Sequence, residues 1–397
     1  MHRRPRDWPP DHNRSRHQLL ITGDADIRKR AIFQLLLAPV LLWAGAVAWS
    51  SPDVHTTRGR RFTVLPLAGF SSEDGPGYGL RVATYFYDGH TVPYRNSTSV
   101  QVFFTTKGKW AHRLLVDYPQ IRPGHRLEIE LRYDKEDRAN FFGNLDDGQI
   151  ADFSHDEQTF RQQDPYLAVR WIQDLRRPWR LQLGLRTGNT FIDLHAASGS
   201  ILQSLAPLGD AGGGLTQFNA ALRHDTRDNY INTTRGHLSE IRVEHGLGSD
   251  NTFNGGTIDL QHRHFISPHP SFVLAHRAST TYTYGDVPFF EQPKLGSSKT
   301  LRGLSADRFR GEARVLLNTE VRWLGLPLSQ KHQVFGGLNL FGDLGQIYDR
   351  TASPSLTGWN VGVGIGARLY WYSTVVRADY GQSDGDSVLY MRFAQIF

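Results

Sequence analysis

From Phe62 to Phe397 apolar and polar residues alternate in stretches of ten or more, broken by turn residues every ten to twenty positions, with almost no helical periodicity. Side chains on a strand point to opposite faces in turn, so each stretch is a ribbon with one apolar and one polar side. Leu127, Ile129, Leu131 and Tyr133 alternate with Arg126, Glu128, Glu130 and Arg132. Val315, Leu317, Val321 and Trp323 likewise oppose Arg314, Asn318, Glu320 and Arg322, and Val361, Val363, Ile365, Leu369 and Trp371 oppose Gly362, Gly364, Gly366 and Arg368. The chain is therefore read as all-β. An apolar content of 39% with 12% aromatics is too rich for a disordered chain. Apart from one stretch near the N-terminus, no apolar run approaches the roughly 20 residues of a membrane helix. The absence of cysteine excludes a disulfide scaffold, thiolate zinc sites and a cysteine nucleophile.

A soluble sandwich also alternates, with its apolar faces turned to a core. Three features favour a membrane barrel instead, with lipid outside and a polar lumen inside. The strands are long, and aromatics such as Tyr85, Phe86, Tyr87, Trp110, Tyr370, Trp371 and Tyr372 gather near their ends. The third is a secretory signal: Arg28-Lys29-Arg30 precedes the apolar Ala31 to Val47, and Ala46-Val47-Ala48 is a small-x-small cleavage site. A single transmembrane anchor is the alternative, and Pro39 interrupts it. Residues 1–48 are expected to be leader and signal peptide, 49–61 a short periplasmic segment and 62–397 the barrel. Removing residues 1–48 takes away eight basic and four acidic residues, so the formal charge falls from +6 to +2 and a nucleic-acid partner loses its electrostatic support.

Sixteen segments read as strands, from 62–69 to 387–397, and an even number returns both ends of an antiparallel barrel to the periplasm. The long connections 135–157, 195–214 and 286–310 then fall outside the cell, while Arg176-Arg177-Pro178 and Ser267 to Pro270 are short periplasmic turns. The last segment carries Phe393 and the terminal Phe397 with apolar residues at alternate places behind them, an alternation that Gln395 breaks. Such an ending resembles the C-terminal recognition signal of outer-membrane barrels.

Three constellations stand out. Leu301-Arg302-Gly303-Leu304 lies in the longest loop, before the twelfth strand. Phe341-Gly342-Asp343-Leu344-Gly345 lies on the thirteenth, where Phe341, Asp343 and Gly345 share the lumenal face with Asn339 and Gln333, and Val334, Leu338, Leu340 and Leu344 face lipid. Asp225-Thr226-Arg227-Asp228 followed by Arg235-Gly236 forms a polar periplasmic turn. Together they resemble the barrel of the bacterial surface antigen superfamily, which includes BamA, TamA and the two-partner secretion transporters. Asn140-Phe141-Phe142-Gly143-Asn144 is similar to a stretch of its shorter members.

The resemblance implies that the sixth extracellular loop folds into the lumen and that Arg302 pairs with Asp343, with Glu320 as a second carboxylate. Leu301 and Leu304 stand where the family usually has a β-branched residue and an aromatic. It also implies assistance in assembly or translocation of proteins or lipids, through a weak seam between first and last strands. Pro66, which cannot donate to a ladder, is compatible with such a seam and equally with an ordinary strand end. Full-length relatives carry periplasmic POTRA domains, for which the residues between Ala48 and Phe62 leave no room. Substrate capture is then absent or supplied by a separate periplasmic partner. Outer-membrane lipid and lipopolysaccharide are the expected surroundings, with a protein or lipid cargo.

No cofactor or metal is expected, and no enzymatic role. Ser71-Ser72-Glu73-Asp74 lacks the setting of a nucleophile elbow. His262 and His264 share a face with Ile258 and Leu260 but lack a third ligand, and Ser383-Asp384-Gly385-Asp386 reads as an acidic hairpin loop. Two alternatives stay open. A lipid-modifying enzyme needs Ser and His on neighbouring lipid-facing positions near a rim, and a passive pore of low conductance needs only the lumen.

Overall fold

The computed structural model describes residues 58–397 apart from 197, 231, 250–251, 330–333, 353–354, 356, 372–373 and 394; the expected leader and signal peptide lie outside the described residues. The strands are β1 (Arg58–Ser71), β2 (Gly75–Asp88), β3 (Asn96–Thr105), β4 (Lys109–Arg122), β5 (His125–Asn140), β6 (Thr159–Asp174), β7 (Trp179–Leu194), β8 (Gly212–Asp225) and β9 (Gly236–Gly248). They continue with β10 (Asn254–His269), β11 (Phe272–Asp286), the short β12 (Lys294–Leu295) and β13 (Phe309–Arg310), β14 (Ala313–Ser329), β15 (Val334–Tyr348), β16 (Asn360–Trp371), β17 (Thr374–Ser383) and β18 (Asp386–Phe393). All but β12 and β13 join in sequence order into one closed antiparallel barrel, β1 meeting β18. Each of the sixteen segments read from the alternation is one of these barrel strands. The first starts earlier than expected, because Arg58–Arg61 already pair with β2.

Closure explains why the alternation is so regular. A sheet closed on itself can stand in hydrocarbon because its ladders give nearly all backbone groups a partner. Its outer face must then be apolar all round. Leu338 and Leu340 on β15 and Val363 and Ile365 on β16 point outward and are more than half exposed on the bare protein, whereas Asn339, Phe341 and Asp343 are buried in the lumen. The expected facing of the thirteenth strand is thus observed, except at Gln333, which lies outside the described residues.

The two rims differ. At one rim short turns connect the strands, among them 123–124, 175–178 and 270–271. At the other lie the long connections, with helices α1 (Asp147–Ala151) and α2 (Ile201–Leu205). Here Phe141, Phe160, Ile201, Leu202, Phe253, Phe289 and Phe290 form an apolar cap over the lumen. Phe289 meets Phe141 edge-on at 5.4 Å and Phe160 at 5.6 Å.

Candidate functional site: a clamped lid loop and a short seam

The connection from β11 to β14 turns down into the lumen, stiffened by the β12–β13 ribbon. Leu295, Leu301 and Leu304 are buried with Leu316 of the barrel wall, so leucines pack this lid where the family resemblance raised a β-branched residue and an aromatic. Arg302 at its tip has no exposed surface. Its Nε donates to Asp343 Oδ2 at 2.7 Å and its Nη2 to Asp343 Oδ1 at 2.8 Å, a bidentate fork, while the backbone N–H adds a third bond to Asp343 at 3.0 Å. Nη1 donates to Glu320 Oε1 at 2.5 Å, and the guanidinium lies over the Phe341 ring, 3.5 Å from its centroid. Phe341, Asp343 and Glu320 are thus all brought to Arg302.

Burial works against the charge of Arg302, yet its hydrogen bonds to Asp343 and the charges of Glu320, Asp343 and Asp379 outweigh it, so its pKa is raised above the ordinary arginine value. The clamp is more than a pair. Asp379 on β17 stands 3.8 Å from Nη1 and accepts from Arg368 at 2.6 Å and Arg377 at 3.1 Å. Glu320 holds Arg322 through its other oxygen at 2.7 Å, and Asn318 donates to Asp343 at 2.6 Å. Four guanidiniums and three carboxylates thus share one buried network. Such a network fixes the position of the loop more than it adds stability, because desolvation offsets the attraction.

The wall is recessed where the lid lies. Gly303 has φ +101°, and a Cβ there would stand 2.5 Å from the backbone carbon of Gln382. Any side chain at Gly345 would run into Leu295, at 2.5 Å from its Cδ1. Both motif glycines thus permit close approach of lid and wall.

The lid is also tied at the long-loop rim. Asn140 donates to the carbonyl of Ala306 at 2.9 Å, and Asn144 exchanges hydrogen bonds with the backbone of Arg310, so the Asn140–Asn144 stretch holds the lid from outside. On the other side Asp386, in the last hairpin, accepts from the N–H and hydroxyl of Ser305, and Glu73, in the first, accepts from the N–H of Ala306. The lid therefore reaches both lips of the barrel closure. These residues border a charged cavity of about 400 Å³ with Lys109, Glu136 and Arg308.

Burial pushes the Glu73 carboxyl up to about 7 from its ordinary 4.5, helped by the neighbouring Asp74 charge and opposed by the Ala306 N–H and Lys109. A carboxyl raised on docking contributes most below its undocked value and loses that contribution as pH rises through the docked one. Lid protection should therefore be greatest below 4.5 and decline up to about 7. Limited proteolysis of the lid across this range is the check, with Glu73→Gln expected to give a flat profile.

The closure itself is short. Among the described residues β1 and β18 pair only at Phe70 with Met391 and Ser71 with Tyr390, supplemented by Ser72 N–H to the Leu389 carbonyl at 3.1 Å and Arg392 to Asp74 at 3.0 Å. Below Phe70, β1 is laddered to β2 alone. Pro66 falls in this unshared stretch, and Phe62, Val64 and Leu65 along it are exposed.

The C-terminus departs from expectation. β18 ends at Phe393, which faces outward, and the final residues turn into the lumen, so the strand does not run on to Phe397. Ile396 and Phe397 pack against Phe265 and Ala275, and Arg322 lies 5.3 Å from the Phe397 ring. The Phe397 ring thus has two guanidiniums beside it, Arg277 also standing 5.3 Å from its centroid.

The third constellation is a self-contained turn at the short-turn rim. Arg227 forks onto Asp225 at 2.9 Å for each bond, Asp228 accepts from the backbone and hydroxyl of Thr234, and Gly236 enters β9 with φ +99°. None of these residues touches the lid. The lipid-enzyme alternative required a serine and a histidine side by side on the outer wall, and Ser239 Oγ does lie 2.8 Å from His262 Nδ1 there. Among the described residues no carboxylate is hydrogen-bonded to that imidazole.

Asp379 and Arg377 are not named from the sequence, and Arg322 and Arg368 enter there only as members of a polar strand face. Period-2 counting places Glu320 with Arg322 on one face, and the same counting along 374–383 would have put Arg377 and Asp379 inward. What it lacks is the register that brings Gly366 opposite Asp379.

A sixteen-stranded barrel with an inward loop clamped by a buried arginine defines an outer-membrane barrel of the lid-loop type. The chain belongs to the Omp85 superfamily: the Omp85 superfamily domain matches residues 77–386. Its fold is similar to BamA from Haemophilus ducreyi lacking POTRA domains 1-3, with a TM-score of 0.59 at 12% identity over 85% of this chain and 70% of that one. It is also similar to CdiB from Escherichia coli (TM-score 0.57, 13% identity, 83% and 62% covered) and CdiB from Acinetobacter baumannii (0.51, 12%, 85% and 65%). A search of curated protein sequences finds no match. The protein is thus a bacterial outer-membrane barrel.

Proposed function

We propose that the barrel assists the assembly or translocation of proteins at the outer membrane by opening its β1–β18 seam, with the lid loop as its plug. The long-loop rim faces the outside and the short-turn rim the periplasm. The observation that carries this reading is the free edge of β1. Among the described residues its outer ladder positions from Arg58 to Gly69 have no partner in β18, although they lie in a wall whose other neighbouring strands pair over most of their length. An unpaired edge in hydrocarbon is costly, and it is a template for an incoming strand. Strand addition by a cargo segment would satisfy it, with main-chain bonds giving affinity and alternate side chains facing lipid.

A passive pore is less well supported. Arg302 and its partners fill the lumen from one side and Phe397 from the other, and many wall charges are paired, as in Arg170 with Glu128 and Glu130, while others such as Arg263 and Arg277 bond neutral side chains.

The test is photocrosslinking in native membranes from a probe at Leu65. Recovery of nascent barrels or a secreted polypeptide supports the reading, and a separate periplasmic partner, where one exists, is identified in the same experiment. Adducts with lipid alone would overturn it.

A further inference from the structure

The outer wall should be apolar, yet β8 to β11 carry a polar inset. His224, Ser239 and His262 lie in one cross-strand row, and His237, His264 and His276 in the next. His237 Nε2 is 3.0 Å from His224 Nδ1 with the rings stacked, Ser239 Oγ is 2.8 Å from His262 Nδ1, and the His237 and His262 rings are 5.8 Å apart. Polar groups facing hydrocarbon cost free energy unless they find partners, and these satisfy one another only in part.

The inset begins at the short-turn rim. Trp179, the first residue of β7, stands edge-on to His224 at 4.7 Å, in the position of an interfacial aromatic. The adjoining turns are joined, Asp225 N–H donating to the Pro178 carbonyl at 3.1 Å. They carry the exposed Arg176, Arg177 and Arg235, which pair with no carboxylate among the described residues. The acids nearby are engaged: Asp174 with Arg180, Asp225 with Arg227 and Asp228 with Thr234. From Trp179, Ser239 and His262 an apolar groove of about 570 Å³ runs up the wall between Leu222, Ile241, Leu260 and Val315, floored by Ala278.

We propose that this inset binds an anionic glycerophospholipid of the periplasmic leaflet. Its phosphate meets the guanidiniums and imidazole N–H groups, and one acyl chain lies in the groove. Phosphate oxygens suit the guanidinium fork and imidazole donors. A zwitterionic headgroup brings its own cation towards three arginines, so the surface discriminates against it. The lipopolysaccharide phosphates belong to the opposite leaflet, away from this rim. The site needs only the membrane setting of the barrel and is independent of seam opening.

The experiment is native mass spectrometry of the folded full chain released from micelles doped with equal phosphatidylglycerol and phosphatidylcholine. The wild type should retain phosphatidylglycerol in preference by about tenfold, corresponding to roughly 1.4 kcal/mol. Arg176→Ala with Arg177→Ala, Arg235→Ala and His237→Ala should bring the ratio to parity with unchanged heat-modifiable migration. Ala278→Trp, which fills the groove, should lower retention of both lipids. Parity in the wild type, a preference that survives the combined alanine variant, or displacement by lipid A as readily as by phosphatidylglycerol would overturn the assignment.

Discussion

Arg302→Ala should free the lid loop while leaving the barrel closed. Removing one member of a buried ion network leaves its partners charged and unpaired, which costs about 3–5 kcal/mol. Here Asp343 loses both bonds of the fork and Glu320 its 2.5 Å partner, though Arg322, Arg368 and Asn318 remain beside them. The cost falls on lid docking, because the ladders of β14 to β17 do not involve Arg302. Planar-bilayer recordings should show larger and noisier conductance than the wild type, and protease should cleave between Gly296 and Asp307. Arg302→Lys should lie between, since an ammonium keeps the charge and loses the planar fork. Wild-type conductance together with an equally protected loop would rule out the plug.

The second large effect is expected at the seam. Phe70 and Met391 are direct cross-strand partners, and Cα atoms of such partners stand within disulfide range. The native chain has no cysteine, so Phe70→Cys with Met391→Cys offers one defined pair. Oxidation should abolish adducts from a photoprobe at Leu65, and reduction should restore them, with the folded migration of the barrel unaltered throughout. Adducts that persist in the oxidised protein would show that cargo reaches this edge without any opening of the seam.

The strands were legible because the membrane imposes one rule on every outward position. Alternation at Leu338 and Leu340 is the same demand as at Val363 and Ile365. The lid contact was legible for a different reason: Arg302 and Asp343 sit in motifs that a resemblance could align, and the resemblance implied Glu320 as the second carboxylate. Asp379 belongs to no such motif, and its meeting with Arg302 depends on the stagger of four strands, which hydrophobic pattern does not encode. The same holds for Ser239 and His262, whose proximity is a matter of register alone. The shortness of the seam and the inward course of Phe397 were not legible either. Both depend on what the last residues do once the alternation at Gln395 fails, and there two placements compete.

That competition bears on how the barrel closes. In the structure the residues beyond Phe393 sit in the lumen against Phe265 and Arg322, and were they to prolong β18 beside the bare flank of β1 they would have to leave that berth. Arg322 is bonded to Glu320, and Glu320 to Arg302, so the tail's inner berth is built from the lid's own anchorage. Displacing the lid would loosen that berth and free the tail to zip along β1. Plugging and sealing would then behave as alternating states of one short peptide, with the bore empty when the wall is complete and the wall gapped when the bore is filled.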